Sequence, residues 1–287
     1  MSSSQLDPQE YKAKQRQEWG AAAAAWRKHW PAMERDLQPV SEFMVSLAGI
    51  QAGQNVLDMA TGIGEPAVTV ARVVGPQGRV VATDQAPEML AIARERADGL
   101  GLRNIEFLEV DAEELDLPEA EFDAVLCRFG LMFLPNLGEA LGRMRRQLKP
   151  GGRLVAAVWS QPAQVPMIAM PMSVLQKELE IPSPPPGTPG IFFLADRVKL
   201  EGSLKDAEFT GVESEVLSIA SRWSSADEYV EQIRDIAAPI QAILSQQTEQ
   251  KRDSIWQAIR TTAAEQFSTA DGSISMQNEV ICVSGQA

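Results

Sequence analysis

The chain has 287 residues, 45% of them hydrophobic, and carries 26 basic against 39 acidic side chains, a formal net charge of −13. This length and apolar content allow a full hydrophobic core and exclude global disorder. The acidic balance repels phosphate groups and anionic lipid, which argues against nucleic acid or a membrane as the main partner.

Cysteine and histidine usage limits the chemistry further. Cys127 and Cys282 are far apart, so we expect no disulfide framework. The single histidine, His29, excludes a metal site built from several histidines. The polar first residues do not resemble a secretory signal, and no run reaches the ~18 apolar residues of a spanning helix. These features predict a cytoplasmic protein without metal.

The first predicted elements are helices. Asp7 and Pro8 are typical of an N-cap followed by proline at the first helical position. Pro31 is expected to end or kink this helix, and Pro39 to open a second helix that ends near Gly49. One face of the first helix is predicted to carry Trp19, Ala23, Trp26 and Trp30.

Short apolar runs then alternate with helical segments. The predicted strands are Val56–Met59, Arg79–Thr83, Ile105–Val110, Phe122–Cys127, Arg153–Trp159, Val212–Ile219 and Glu279–Ser284. The predicted helices between and after them are Pro66–Val74, Pro87–Ala97, Asn136–Leu148 with an Asn136/Glu139 capping box, Val198–Glu208 and most of Ala226–Gln266. This alternation predicts an α/β fold with a doubly wound, mostly parallel, seven-stranded sheet.

Two stretches interrupt the alternation, and the first contains five prolines between Ile181 and Gly190, which forbid a regular helix or central strand there. We expect these stretches and the N-terminal helices to cover the carboxyl edge of the sheet, where α/β sheets bind ligands. The predicted division is an N-terminal helical cap (1–50), an α/β core (51–160), a lid insertion (161–195), more core (196–221), a helical cap insertion (222–272) and the last core strand (273–287).

The most informative segment runs from Val56 to Pro66. A strand ends at Asp58, and a turn containing Gly62 and Gly64 leads into a helix. Glycine allows a tight turn and lets a ligand approach the backbone closely. Twenty residues after Gly64, the next strand ends in Asp84, where a carboxylate can accept hydrogen bonds from both hydroxyls of a ribose. The pattern predicts an adenosine site.

Charge favours one kind of adenosine ligand. Residues 62–67 also satisfy the loose G-x-G-x-x-A dinucleotide pattern, and a dinucleotide would place its pyrophosphate at the following helix N-terminus. Asp58 and Glu65 flank that position and would repel an anion. They suit a ligand that carries an ammonium and a sulfonium.

With these motifs, the chain resembles the class I S-adenosylmethionine-dependent methyltransferases, and among them the ubiquinone/menaquinone-biosynthesis type and its type 11 relatives. The resemblance covers roughly residues 55–159. It rests on the Asp58–Gly64 loop, the strand end at Asp84, the segment 110–113, the Leu148–Gly152 turn and Phe122–Val125 leading into Phe129-Gly130-Leu131. Ala60 departs from the pattern, because many methyltransferases have the first loop glycine there.

The resemblance implies roles for these residues. Asp58 would lie near the methionine ammonium, Asp84 would hold the ribose and Asp111 the adenine amino group. Cys127 and Arg128 would line the methionine end, with main-chain carbonyls as acceptors. The complete implied cofactor set is Asp58, Ala60, Thr61, Gly62, Gly64, Asp84, Gln85, Met89, Asp111, Ala112, Cys127 and Arg128. The implied cofactor is S-adenosyl-L-methionine, and its product is S-adenosyl-L-homocysteine.

The substrate site is predicted less directly. Side chains near the strand ends and on the tryptophan face are candidates for contact with a small, aromatic or otherwise apolar molecule: Trp19, Trp26, Arg128, Phe129, Met132 and Trp159. His29 is a candidate general base, because an imidazole titrates near neutral pH. A plain position on the helix flank is the favoured interpretation.

Three other functions are compatible with parts of the pattern. A nicotinamide-dependent oxidoreductase would bind pyridine nucleotides, and a non-catalytic S-adenosylmethionine-binding module would bind the cofactor without turnover. A methyltransferase acting on macromolecules is disfavoured by the acidic charge.

Overall fold

The computed structural model describes residues 7–182, 185 and 187–287. Its strands are β1 (Asn55–Met59), β2 (Arg79–Asp84), β3 (Ile105–Glu109), β4 (Phe122–Arg128), β5 (Leu148–Trp159), β6 (Thr210–Trp223) and β7 (Ile274–Gln286). Its α-helices are α1 (Pro8–Ala48), α2 (Ala67–Val74), α3 (Pro87–Gly99), α4 (Leu137–Gln147), α5 (Pro166–Leu179), α6 (Arg197–Asp206), α7 (Ala226–Ile236), α8 (Ala238–Leu244) and α9 (Glu249–Phe267).

The seven strands form one sheet in the order β3-β2-β1-β4-β5-β7-β6. The first five are parallel to one another, and β7 is antiparallel to both of its neighbours. The strands of the parallel part are buried runs such as Val56–Met59 because helices cover both faces of the sheet. The predicted doubly wound, mostly parallel, seven-stranded fold is confirmed. The strand order reverses between β1 and β4, which is where such sheets bind ligands.

The prediction of two N-terminal helices is wrong, because one helix, α1, runs through both Pro31 and Pro39. Its start at the Asp7 cap is as predicted: the Asp7 carboxylate accepts from the backbone N–H of Gln9 at 2.9 Å. Its end at Gly49, in the left-handed conformation with φ 67°, is also as predicted. Both prolines are exposed. The carbonyls that lose their N–H partners therefore face water, while the opposite face stays packed through Met33, Leu37, Val40 and Met44.

A second hydrophobic core joins the segments that interrupt the alternation. Helices α5, α7, α8 and α9 pack there against the adjoining ends of β6 and β7, around side chains such as Tyr229, Ile255 and Ile259. The Tyr229 hydroxyl also donates to the carbonyl of Met167 at 2.9 Å. The predicted division into core, lid and caps stays a prediction.

Several local predictions need correction. Helix α5 was not predicted. It begins with Pro166, at a position where helices tolerate proline. The Asn136 capping box is wrong, because the Asn136 side chain caps no helical N–H. Instead, the backbone N–H and Nδ2 of Asn136 donate to the Glu113 carboxylate at 2.7 and 2.9 Å. Pro184 and Pro186 of the predicted lid lie outside the described residues.

Candidate functional site

The carboxyl ends of the five parallel strands present the predicted site residues in a spatial order. Because β3, β2, β1, β4 and β5 are consecutive neighbours, their ends form a row along one edge of the sheet. The row reads Asp111 after β3, Asp84 at β2, Asp58 at β1, Arg128 at β4 and Trp159 at β5. The structure thus brings together, on one edge, residues that are up to 101 positions apart.

Asp58 lies fully buried near the end of β1. Its Oδ2 accepts from the Thr61 hydroxyl at 2.6 Å and from the Ala67 backbone N–H at 2.9 Å. Its Oδ1 is buried without a hydrogen-bond partner. Burial raises the pKa of Asp58 from 3.8 to about 7, against the opposing effects of Thr61 and Arg128. A cationic donor at Oδ1 would satisfy this orphaned atom.

The loop after β1 bends through three residues with positive φ: Ala60 at 56°, Gly62 at 57° and Gly64 at 103°. A Cβ built on Gly62 would meet nothing within 4 Å, so this part of the loop borders open space in which a ligand can approach the backbone. Ala60 adopts the left-handed conformation despite its Cβ, at a cost of roughly 1–2 kcal/mol. Alanine at this position therefore adopts the left-handed conformation that glycine adopts most easily.

Asp84 anchors the glycine loop to the end of β2. Its Oδ2 accepts from the Gly62 N–H at 2.8 Å and its Oδ1 from the Ala86 N–H at 2.9 Å. Burial raises its pKa above the ordinary value, and the backbone hydrogen bonds oppose the rise. The predicted neighbours follow: Gln85 is half-buried, and Met89 is buried. The remaining lone pairs of the carboxylate are available to a ribose.

Asp111 has a partner that the sequence analysis missed. The Lys12 ammonium, on the first turns of α1, lies 2.8 Å from Asp111 Oδ2 and 3.4 Å from Glu113 Oε2. The Asp111 Oδ1 accepts from the Glu113 N–H at 2.8 Å. Ala112, beside it, is half-buried. The start of α1 therefore lies over the end of the site that was predicted to hold adenine.

Glu65 does not act as the sequence suggested. Its carboxylate is buried, with Oε2 accepting from Thr69 at 2.7 Å and Oε1 lying 3.6 Å from Arg96 Nη2. Arg96 also lies over the ring of Trp30, 3.9 Å from its centroid. Glu65 Oε1, like Asp58 Oδ1, has no hydrogen-bond partner, but a guanidinium lies within ion-pair distance of Glu65 and none does so for Asp58 among the described residues.

The end of β4 contributes a guanidinium and a thiol. Arg128 Nη1 donates to the Ser41 hydroxyl at 3.0 Å, and burial lowers the pKa of the guanidinium, opposed by Glu65 and Asp58. Burial raises the pKa of the Cys127 thiol to about 12, so the thiol is protonated at neutral pH and is no nucleophile. Their predicted contact with a methionine end stays a prediction.

Aromatic side chains continue the row beyond Arg128. The rings of Phe129 and Trp159 stack at 4.4 Å with an interplanar angle of 12°. Phe129 has a φ of 61°, a strained conformation for a bulky residue. Trp19 makes edge contacts with Trp26 at 5.8 Å and with Phe133 at 5.4 Å. Met132 is buried, and its carbonyl accepts from the Gly190 N–H at 2.8 Å.

His29 is not part of the row of strand ends. Its Nε2 lies 2.7 Å from Asp235 Oδ2 on α7, and Lys28 contacts the same carboxylate oxygen at 2.8 Å. These contacts attach α1 to α7. The predicted role of His29 as a general base receives no support from its partners and stays a prediction. Within the described residues, no group of three or more His, Cys, Asp or Glu side chains could hold a metal ion.

Comparison with known sequences gives a family match. Residues 38–179 match the profile of the ubiE/COQ5 methyltransferase family. The ubiquinone/menaquinone biosynthesis C-methyltransferase UbiE of Pseudomonas putida is 44% identical over 121 residues, which cover 42% of this chain and 47% of that relative. The chain thus spans about half the length of the curated relatives it matches.

Solved structures have the same fold at low sequence identity. The YcgJ protein of Bacillus subtilis superposes with a TM-score of 0.56 and 18% identity over 86% of this chain and 97% of that chain. Phosphoethanolamine N-methyltransferase 2 of Haemonchus contortus, solved with S-adenosylhomocysteine, superposes with a TM-score of 0.51 and 18% identity. The superposition covers 91% of this chain and 52% of that chain. At such identity these two show the fold alone.

The sheet order and these matches give the chain the Rossmann-like fold of the S-adenosylmethionine-dependent methyltransferases, as its motifs predicted. Within that class, residues 38–179 have the core of the ubiE/COQ5 methyltransferase family. S-adenosylmethionine as the cofactor agrees with this family match.

Proposed function

We propose that this chain transfers the methyl group of S-adenosylmethionine to a small, aromatic or otherwise apolar molecule. When bound, the cofactor supplies a methyl group on a positively charged sulfur, which is an activated donor. The protein's part is to hold the two reactants in line and to exclude water from between them. The products are the methylated molecule and S-adenosylhomocysteine.

The observation that carries this proposal is the order of side chains along the sheet edge. An extended S-adenosylmethionine has adenine, ribose, methionine and methyl group in a row. The edge offers Asp111, Asp84 and Asp58 with Arg128 in the same sequence, followed by the Phe129 and Trp159 rings. If the cofactor lies along this row, each polar group has a counterpart on it, and the aromatic pair would border the place where an acceptor molecule meets the methyl group.

The same geometry disfavours the nicotinamide-dependent alternative. A pyrophosphate would need unpaired backbone N–H groups at the start of α2. There the Ala67 N–H already donates to Asp58 at 2.9 Å, so a carboxylate occupies the anion position. A bound pyrophosphate would have to displace a fully buried carboxylate and then face its charge.

The aromatic residues support an apolar acceptor. Phe129 and Trp159 form a flat stacked pair, and Trp19 and Phe133 form an edge contact nearby on α1 and after β4. Flat rings pack well against one another and against an aromatic substrate. The described residues contain no helix that is both long and apolar enough to cross a membrane. A cytoplasmic location, the cap division and a small-molecule partner accompany the proposal as predictions.

Methyl transfer from tritiated S-adenosylmethionine to a panel of phenols, amines and quinone precursors tests the proposal. We expect the wild-type protein to label acceptors of one chemical class. In a Trp159→Leu variant, the KM for that acceptor should rise at least roughly tenfold, and the affinity for S-adenosylhomocysteine should stay unchanged. The loss of stacked aromatic area is worth about 1.5 kcal/mol or more, which corresponds to this factor.

The matched control is Trp256→Leu, which removes a buried tryptophan from the second core instead. It should lower thermal stability without raising the KM of the acceptor. Absence of label from the whole panel, together with firm cofactor binding, would favour the non-catalytic binding module.

A further inference from the structure

The end of β4 holds a guanidinium that lacks an anionic partner. Among the described residues, no carboxylate lies within the 4.0 Å ion-pair distance of Arg128, whereas Arg96 nearby pairs with Glu34 at 3.5 Å and Glu65 at 3.6 Å. The two hydrogen bonds of Arg128 both use Nη1, to the Ser41 hydroxyl at 3.0 Å and the Leu37 carbonyl at 3.5 Å. Its Nε and Nη2 donate to no described residue.

The end of the neighbouring strand β1 holds a carboxylate with one oxygen that lacks a hydrogen-bond partner. Asp58 Oδ1 is buried without a hydrogen-bond partner, and Arg128 is near enough to lower the pKa of that carboxyl. A guanidinium without an ion-pair partner and a carboxylate oxygen without a hydrogen-bond partner therefore lie on the adjacent strands β4 and β1, where the strand order reverses, and Glu65 is the other carboxylate whose charge acts on Arg128. A zwitterion with an ammonium and a carboxylate on one carbon complements both, and a singly charged ligand complements only one.

We infer that Arg128 binds the carboxylate of the cofactor's amino-acid tail through Nε and Nη2, and that Ser41 is a positioning residue which fixes the guanidinium through Nη1. This inference rests on the proposed function, because it assigns a residue to the cofactor of that reaction. The fork of N–H donors on a guanidinium matches a carboxylate in two parallel hydrogen bonds.

The arrangement makes cofactor binding depend on α1. Ser41 and Leu37 belong to that helix, and Ser41 is fully buried. The same helix carries Lys12, which contacts Asp111 at the other end of the row. Helix α1 therefore contacts the site at both ends, and displacement of its C-terminal half would misplace the carboxylate-binding group.

The test uses two ligands that differ only in the carboxylate: S-adenosylhomocysteine and its decarboxylated counterpart, S-adenosyl-3-thiopropylamine. We expect Arg128→Gln to weaken S-adenosylhomocysteine at least roughly tenfold and to leave the decarboxylated ligand within about twofold. Ser41→Ala should lower the ratio of the affinity for S-adenosylhomocysteine to the affinity for the decarboxylated ligand by several-fold. Arg103→Gln, at an exposed arginine on the loop before β3, is the matched control for the lost charge and should leave the ratio unchanged.

The outcomes separate the inference from the proposed function. Equal losses for the two ligands would reduce Arg128 to a structural residue, and undiminished S-adenosylhomocysteine binding by Arg128→Gln would overturn the inference outright. In both cases the wild-type protein still binds the cofactor product, so the proposed function stands. A wild-type protein that binds neither ligand would remove both.

Discussion

Replacement of Asp84 by alanine is expected to weaken S-adenosylhomocysteine binding by about 1.5–3 kcal/mol, the worth of hydrogen bonds to a charged acceptor. The variant loses the carboxylate that we assign to the ribose hydroxyls. It also leaves the N–H groups of Gly62 and Ala86 without their acceptors, which are now at 2.8 and 2.9 Å. We therefore expect a lower free energy of unfolding as well, measured by chemical denaturation beside calorimetric titration of the ligand.

A ligand lacking the 2′-hydroxyl separates the two effects of Asp84. If the carboxylate accepts from the ribose, the wild-type protein discriminates against the 2′-deoxy ligand, and Asp84→Ala does not. If Asp84 only anchors the loop, both ligands lose affinity by the same factor. Asp98→Ala, at an exposed acid of α3, is the control for charge and should change neither affinity.

Binding of S-adenosylhomocysteine is expected to strengthen as the pH rises towards 7. The buried Asp58 has a pKa of about 7, and an ammonium at its Oδ1 favours the ionised form. Below that pH, binding must release the proton, so affinity falls by up to roughly tenfold per pH unit. Calorimetry in buffers of different ionisation enthalpy measures the released proton. Binding of 5′-methylthioadenosine, which has no ammonium, should release none.

The Asp58 carboxyl also makes the stability of the unliganded protein depend on pH, and this stability falls with rising pH whereas ligand affinity rises. Its folded pKa of about 7 exceeds the ordinary 3.8, so the folded state binds more protons between these values and its stability falls as pH rises through this window. The full penalty above pH 7 is about 4 kcal/mol. Asp58→Asn should remove this slope from the unfolding free energy and should also abolish the pH dependence of ligand affinity. A pH slope that persists in the variant would assign both effects to other groups.

The row of strand-end residues could be predicted because its signals are local. Each strand end is marked by an apolar run that stops at a polar residue, and the turn after Asp58 is marked by Gly62 and Gly64. Parallel strands bring such ends to one edge whatever lies between them. The fold class and the strand positions followed from these marks, and the class of protein followed from the family resemblance that they carry.

The missed features depend on contacts between distant parts of the chain. Nothing near Lys12 or Ser41 indicates that they meet Asp111 and Arg128, which are 99 and 87 positions away. Prolines break helices by local rules, yet α1 continues through Pro31 and Pro39 because packing of its other face outweighs the lost hydrogen bonds. Glu65 appeared free in the sequence because its guanidinium partner, Arg96, lies on another helix.

If the buried carboxylate of Asp58 selects the ligand of the glycine turn, the chain binds a zwitterionic nucleoside and rejects an anionic dinucleotide. Calorimetric titration of the purified chain with S-adenosylhomocysteine and with NAD at one pH compares the two directly. We expect one equivalent of S-adenosylhomocysteine to bind and NAD to give no heat of binding. Uptake of NAD by a chain that ignores S-adenosylmethionine and S-adenosylhomocysteine would contradict the account.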